Sequence, residues 1–240
     1  MSGERKAELA KELQRPFRAL DLVRIRPGRN GRLGFQRLDD AGEVIEQVHI
    51  NNGFVVAIWN EYRGWRTARD GAISLLGPIF SKLQKEELPG HGLGVAFRDI
   101  FFNDDPLSYS PEELFKKDSA YIPSIVFSNK QSFFWKSSNS WYAKKGVDSK
   151  FLLNSQLSIV AQVKNKNDVK GELNFEEARH STEVLHRQSI FFAQEPDSQS
   201  KFAWGLDDIR SAMDILRDEN KDILSEILQD EMASQIGLKE

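Results

Sequence analysis

The apolar positions of this chain change period several times, and those changes mark out its elements. Over residues 4–15, Ala7, Leu9, Ala10 and Leu13 lie among Glu and Lys, the pattern of a short amphipathic helix. Pro16 is expected to end it. Short apolar stretches at 22–26, Leu33–Leu38, Val44–Ile50 and 54–59 then read as strands, separated by turn-forming composition at 27–31, 39–42 and 51–53. Val44, Glu46, Val48 and Ile50 share one strand face. Residues 69–86 return to helical spacing, with Ile73, Leu76, Ile79, Phe80 and Leu83 near one side and Pro78 set to kink or restart the helix. A Gly-rich loop at 88–94 precedes a strand at 95–102.

The second half repeats this theme less clearly. Pro111 opens a short helix over 112–117. Residues 122–127, 131–135 and 184–192 look like strands. Residues 152–163 fit both periods, and the strand is preferred. The clearest helix is the last, with Leu206, Ile209, Met213, Leu216, Ile223, Ile227 and Leu228 at three- and four-residue steps. Asn220 is expected to bend or divide it, and Gly237 to stop it.

The expected fold is α+β: two β-rich, mainly antiparallel halves with associated helices and a C-terminal helical segment. The halves are placed at 1–105 and 106–240, with one continuous domain as the alternative. Two tryptophan pairs, Trp59 with Trp65 and Trp135 with Trp141, have the same spacing, which suggests two related strand units.

Composition narrows the chemistry. The chain has 40% hydrophobic and 29% charged residues, so disorder throughout is excluded. With no cysteine, disulfides, Cys-ligated zinc, iron–sulfur clusters and a thiol nucleophile are excluded. The charged N-terminus lacks an apolar signal core and no apolar run approaches ~20 residues, so the expectation is a cytoplasmic protein without a membrane partner. Charge is uneven: residues 1–37 hold ten basic against four acidic residues, and residues 206–240 hold four against ten. Such ends can attract one another within the chain or between copies, or stand as two solvated faces.

Motifs supply little. Phosphate-loop, dinucleotide, nucleophile-elbow and zincin patterns are absent from the sequence, and no cofactor is expected. His180 and His186 lie six apart near Glu176, Glu177 and Glu183; on a strand that spacing puts both on one face, and across a turn they could converge. A metal site needs more converging ligands than this pair provides. The basic and aromatic residues offer a binding surface. Arg24, Arg26, Arg29 and Arg32 cluster around one hairpin, and Lys130, Lys136, Lys144 and Lys145 surround Trp141 and Tyr142. Cations suit phosphates and aromatic rings suit bases, although a pI near 5.9 is not a strongly basic footprint.

The order of elements resembles a sporadically distributed family of uncharacterised bacterial proteins of about this length. The likeness runs through Trp59 to Trp65, the helix through Phe80, the segment 92–100 and the closing helices around 213–216 and 227–237. Where that family carries a tyrosine and an asparagine after the strand arginine, this chain has Asp99 and Phe101; where it carries a histidine in the closing helices, Arg217 is nearest. The resemblance implies no catalytic residue. The leading functional expectation is a non-enzymatic interaction or scaffold protein with a protein partner or self-association. A nucleic-acid-binding protein is the alternative, and an enzyme using His180, His186 and nearby carboxylates is the third reading.

Overall fold

A computed structural model describes residues 3–25, 33–50, 55–60, 64–85, 92–128, 134–145, 151–166, 177–192 and 205–238. The protein is α+β, with two antiparallel four-stranded sheets and six helices among these residues. It divides into two compact units, Met1–Gly90 with Gln199–Ser211, and His91–Ser198 with Ala212–Glu240.

The first unit contains helix α1 (Gly3–Arg18), the meander β1 (Val23–Arg24), β2 (Leu33–Leu38), β3 (Val44–Ile50) and β4 (Val55–Trp59), and helix α2 (Trp65–Lys85). Register aligns Leu33, Ile50 and Val55 in one row and Phe35, Val48 and Ala57 in the next, so the alternating apolar residues meet on one face. Leu13 and Phe17 of α1 and Leu75 and Ile79 of α2 join that core. Phe17 meets Phe35 edge-to-face, with ring centroids 4.6 Å apart. The buried face also admits Glu46, whose carboxylate accepts from the Trp59 indole and pairs with Arg37, its register neighbours on either side.

Neither proline ends its helix. Pro16 lies inside α1 and Pro78 inside α2. A proline in a helix interior costs about 3 kcal/mol. Burying two large apolar side chains returns roughly 3–6 kcal/mol. Leu13 and Phe17, and Leu75 and Ile79, straddle the two prolines, so packing outweighs the local defect.

The second unit is built on long strands, β5 (Gly92–Asn103), β6 (Phe134–Lys145), β7 (Phe151–Asn165) and β8 (Ala178–Phe192), in the order β5-β8-β7-β6. The Gly-rich stretch expected to be a loop enters β5, because it provides close approach to β8. A Cβ on Gly92 would stand 2.8 Å from both the Ile190 carbonyl oxygen and the Phe191 ring. β5 precedes the boundary expected at 105, yet pairs with β8 along its whole length and belongs to the second unit.

Short helices α3 (Pro111–Leu114) and α4 (Ile125–Ser128) follow β5. α4 replaces an expected strand: the amides of Val126 and Phe127 donate to the carbonyls of Pro123 and Ser124, closing a helical turn. α5 (Leu206–Ile227) runs without a break at Asn220, and α6 (Asp230–Gln235) follows. Residues of α5 through Ser211 count with the first unit and the remainder with the second. Ile223, Leu224, Ile227 and Leu228 pack with Leu157, Ile159 and Val184 of the sheet. At Gly237, φ is 71°, and the Leu238 amide donates to the Ala233 carbonyl at 2.9 Å, a glycine-terminated helix end.

The tryptophan spacing is not a structural repeat. Trp59 ends a strand and Trp65 begins a helix, whereas Trp135 and Trp141 both lie within β6.

Candidate functional site

The second sheet gives its two faces opposite chemistry. On β7 the odd-numbered residues point inward, on β8 the even-numbered ones, and register sets Leu157 beside His186 and Ser155 beside Gln188. On β6 and β5 the inward rows carry Trp135, Ser137, Asn139 and Trp141, and Phe97, Asp99 and Phe101.

The inner face contains a polar seam. His186 Nδ1 lies 2.8 Å from Asn220 Oδ1, and its Nε2 lies 3.0 Å from Ser155 Oγ. With the amide oxygen of Asn220 facing the ring, Nδ1 carries the proton and Nε2 accepts from the Ser155 hydroxyl. Burial lowers the His186 pKa, opposed by the Asn220 hydrogen bond and by Glu219, so the neutral ring suits both bonds. Trp141 stacks on His186 at 6.1 Å and packs against Tyr121. Farther along β8, His180 stacks on Tyr109 at 3.5 Å, and Thr182 donates to the Tyr109 hydroxyl at 3.3 Å. Burial pushes the His180 imidazole down to about 4.

Serine, histidine and asparagine in this order have the hydrogen-bond logic of a nucleophile, its base and an orienting group. Their exposures are 0%, 1% and 2%, so in this arrangement no substrate atom reaches Ser155 Oγ. The seam acts as a buried network that fixes α5 on the sheet. His180 and His186 share the inner face, as their spacing implies, but hold separate partners. Among the described residues no group of three or more His, Cys, Asp or Glu side chains is placed to hold a metal ion. Asp99 and Arg217, where the chain departs from the family pattern, act on one another: burial raises the Asp99 pKa and the Arg217 charge opposes that rise.

The outer face is open and basic. Among the described strand residues, Arg98, Lys136, Lys144, Lys164, Arg179 and Arg187 point outward, against the single acid Glu183. Arg98 donates to Glu183 at 2.7 Å, and Arg98, Lys164 and Arg187 together hold its carboxyl below the ordinary range. Large rings stand among these cations: Phe134 is 61% exposed, Tyr142 66% and Phe102 49%. The Arg179 guanidinium lies 3.8 Å above the Phe102 ring, with Lys164 Nζ 5.6 Å from it. Asn154 donates to the Tyr142 hydroxyl at 3.1 Å.

Of the binding residues expected from sequence, Lys136, Tyr142 and Lys144 meet on this face. Trp141 does not; it faces inward against His186. Lys145 ends β6, and Arg24 is exposed on β1 in the first unit. Arg26, Arg29, Arg32 and Lys130 lie outside the described residues. The face also recruits Arg98, Lys164, Arg179 and Arg187 from three other strands, which sequence reasoning did not connect. Strand parity is the signal that groups them.

No protein-family model and no curated protein matches the chain. Among solved structures, the crystal structure of the di-domain ARO/CYC StfQ from the steffimycin biosynthetic pathway aligns over 85% of this chain and 84% of that one, at 12% identity and a TM-score of 0.14. A likeness of that size carries no argument about fold or function. No helix among the described residues is long and apolar enough to cross a membrane.

Proposed function

We propose that this is a non-enzymatic binding protein whose second sheet presents its outer face to an extended anionic partner. One observation carries the reading: in a chain of net charge −3, the described strand residues concentrate six outward cations and one acid on a single exposed sheet face. The acids lie elsewhere in the second unit, with Asp218, Asp222, Glu226, Asp230 and Glu231 exposed on α5 and α6. Segregation of this kind gives a local potential that net charge conceals. The polar seam on the inner face supports the non-enzymatic part, since its only nucleophile–base pair is sealed.

Retention on immobilised heparin across a salt gradient tests this. The triple variant Lys136→Glu, Lys144→Glu, Arg187→Glu should elute at roughly half the salt concentration of the parent. Reversing Lys11, Arg15 and Arg18 on α1 applies the same charge change elsewhere and should shift elution far less. Equal shifts in both variants, or no retention of the parent at low salt, would overturn the proposal.

A further inference from the structure

We infer that the anionic partner is single-stranded nucleic acid, its phosphates held by the outward cations and its bases stacked on the outward rings. This rests on the reading of the outer face as an anion-binding surface.

The layout of the face separates this partner from other polyanions. Phe102 and Phe134 lie in one row, joined through Ser181 and Gln162, at opposite edges of the sheet. Three strand spacings put them roughly 14 Å apart. At the far end, Phe191 shares a row with Leu152 and Lys144, and Tyr142 lies one row in. About 30–35 Å of strand separates the two ends. Between them small residues point outward at Gly94, Ala96, Ser138, Ser140, Ser158 and Ser189, beside the larger Ile100, Gln156, Val160 and Leu185. An extended strand can run along such a surface, with Arg98, Arg187 and Lys136 near its backbone and rings at either end for unstacked bases.

An acidic polypeptide would use the cations but gains nothing specific from exposed rings set far apart. A duplex keeps its bases stacked and turned inward, away from a flat sheet. Single strands expose a π-face on every base, and aromatic platforms among cations suit them without sequence preference. The Arg179 guanidinium over Phe102 enlarges one such platform, because a planar cation also stacks on bases.

Fluorescence anisotropy decides it, using labelled mixed-sequence DNA and RNA of about 12 nucleotides, a duplex of the same length, heparin and a polyglutamate peptide. Single strands should bind more tightly than the duplex and the peptide, with affinity falling linearly in log salt. The double variant Phe102→Ala, Tyr142→Ala should weaken single-strand binding roughly tenfold or more. Its heparin retention should fall far less than its oligonucleotide affinity, and Tyr142→Phe should keep most of the affinity. Thermal melting confirms that each variant is folded. Heparin or polyglutamate binding without oligonucleotide binding would overturn this inference and leave the anion-binding face standing. So would oligonucleotide binding indifferent to both ring substitutions. Failure of every polyanion would remove the anion-binding face as well.

Discussion

The two faces of the second sheet are made by the same four strands, yet they use polar side chains for opposite ends. On the inner face, Ser155, His186, Gln188, Thr182 and His180 are buried; Ser155, His186 and Thr182 hydrogen-bond with Asn220, Tyr109 or one another, His180 stacks on Tyr109, and the Gln188 amide and His180 Nε2 have no hydrogen-bond partner among the described residues. On the outer face, Lys136, Lys144 and Arg187 are exposed and their charge is directed at solvent. The difference follows from the two-residue period of the strand: adjacent residues, such as His186 and Arg187, face different dielectrics. Buried polar groups carry a large penalty when a partner is lost, whereas exposed charges are rehydrated. Inner-face polar residues should therefore govern stability, and outer-face ones binding.

The largest test of that division is His186→Ala beside Arg187→Ala. Removing the imidazole leaves the Ser155 hydroxyl and the Asn220 amide without their buried partner and opens space beneath Trp141. The expected cost is about 3–5 kcal/mol of unfolding free energy. Arg187→Ala, one residue away and outward, should stay within about 0.5 kcal/mol. Chemical denaturation of both variants measures the contrast. Similar costs for the two would mean that the faces do not differ in the way their burial implies.

Acid gives a second, somewhat smaller test. His180 and His186 both have folded-state pKa values below the ordinary histidine value, for His180 about 4, and burial is the first cause in each. Below pH 6.5 the unfolded chain binds protons that the folded chain refuses, so stability falls as pH falls. For His180 the loss spans pH 6.5 to about 4 and amounts to at most roughly 3 kcal/mol. His180→Gln should flatten that part of the stability–pH profile. A profile unchanged by His180→Gln would count against a neutral buried His180.

Sequence patterning read β2 and β3 from their alternation, while the residues of β7 fitted both periods and were assigned to a strand by preference. It missed most of β6 because that strand's inward residues include Ser137 and Asn139. Asn139 donates to the Tyr121 carbonyl at 2.9 Å, and nothing in a run of Ser, Asn and Lys announces that bond. Missing the strand also misplaced Trp141 with Tyr142: once β6 is a strand, neighbours must face opposite ways. The histidine pair was legible as a shared face, but not its function. Ser155 and Asn220 are 31 and 34 residues from His186, and only sheet register and the course of α5 bring the three together. The basic face was half legible for the same reason. Lys136 and Lys144 are close in sequence; Arg98, Lys164, Arg179 and Arg187 are gathered by register alone.

The finest test of the comparison is the Arg98–Glu183 pair. It joins the one acid that the described strand residues turn outward to its bonded cation, with side-chain exposures of 59% for Arg98 and 32% for Glu183. A double-mutant cycle with Arg98→Ala and Glu183→Ala should give a coupling energy of only about 0.2–1 kcal/mol, diminishing with salt. Its effect on binding should have a different sign at each residue. Glu183→Ala removes an acid from among the outward cations and should strengthen anion binding, while Arg98→Ala should weaken it. A coupling of several kcal/mol would make the outer face structural like the inner one. Matching losses of affinity from both substitutions would show that Glu183 holds the cations in place instead of diluting their field.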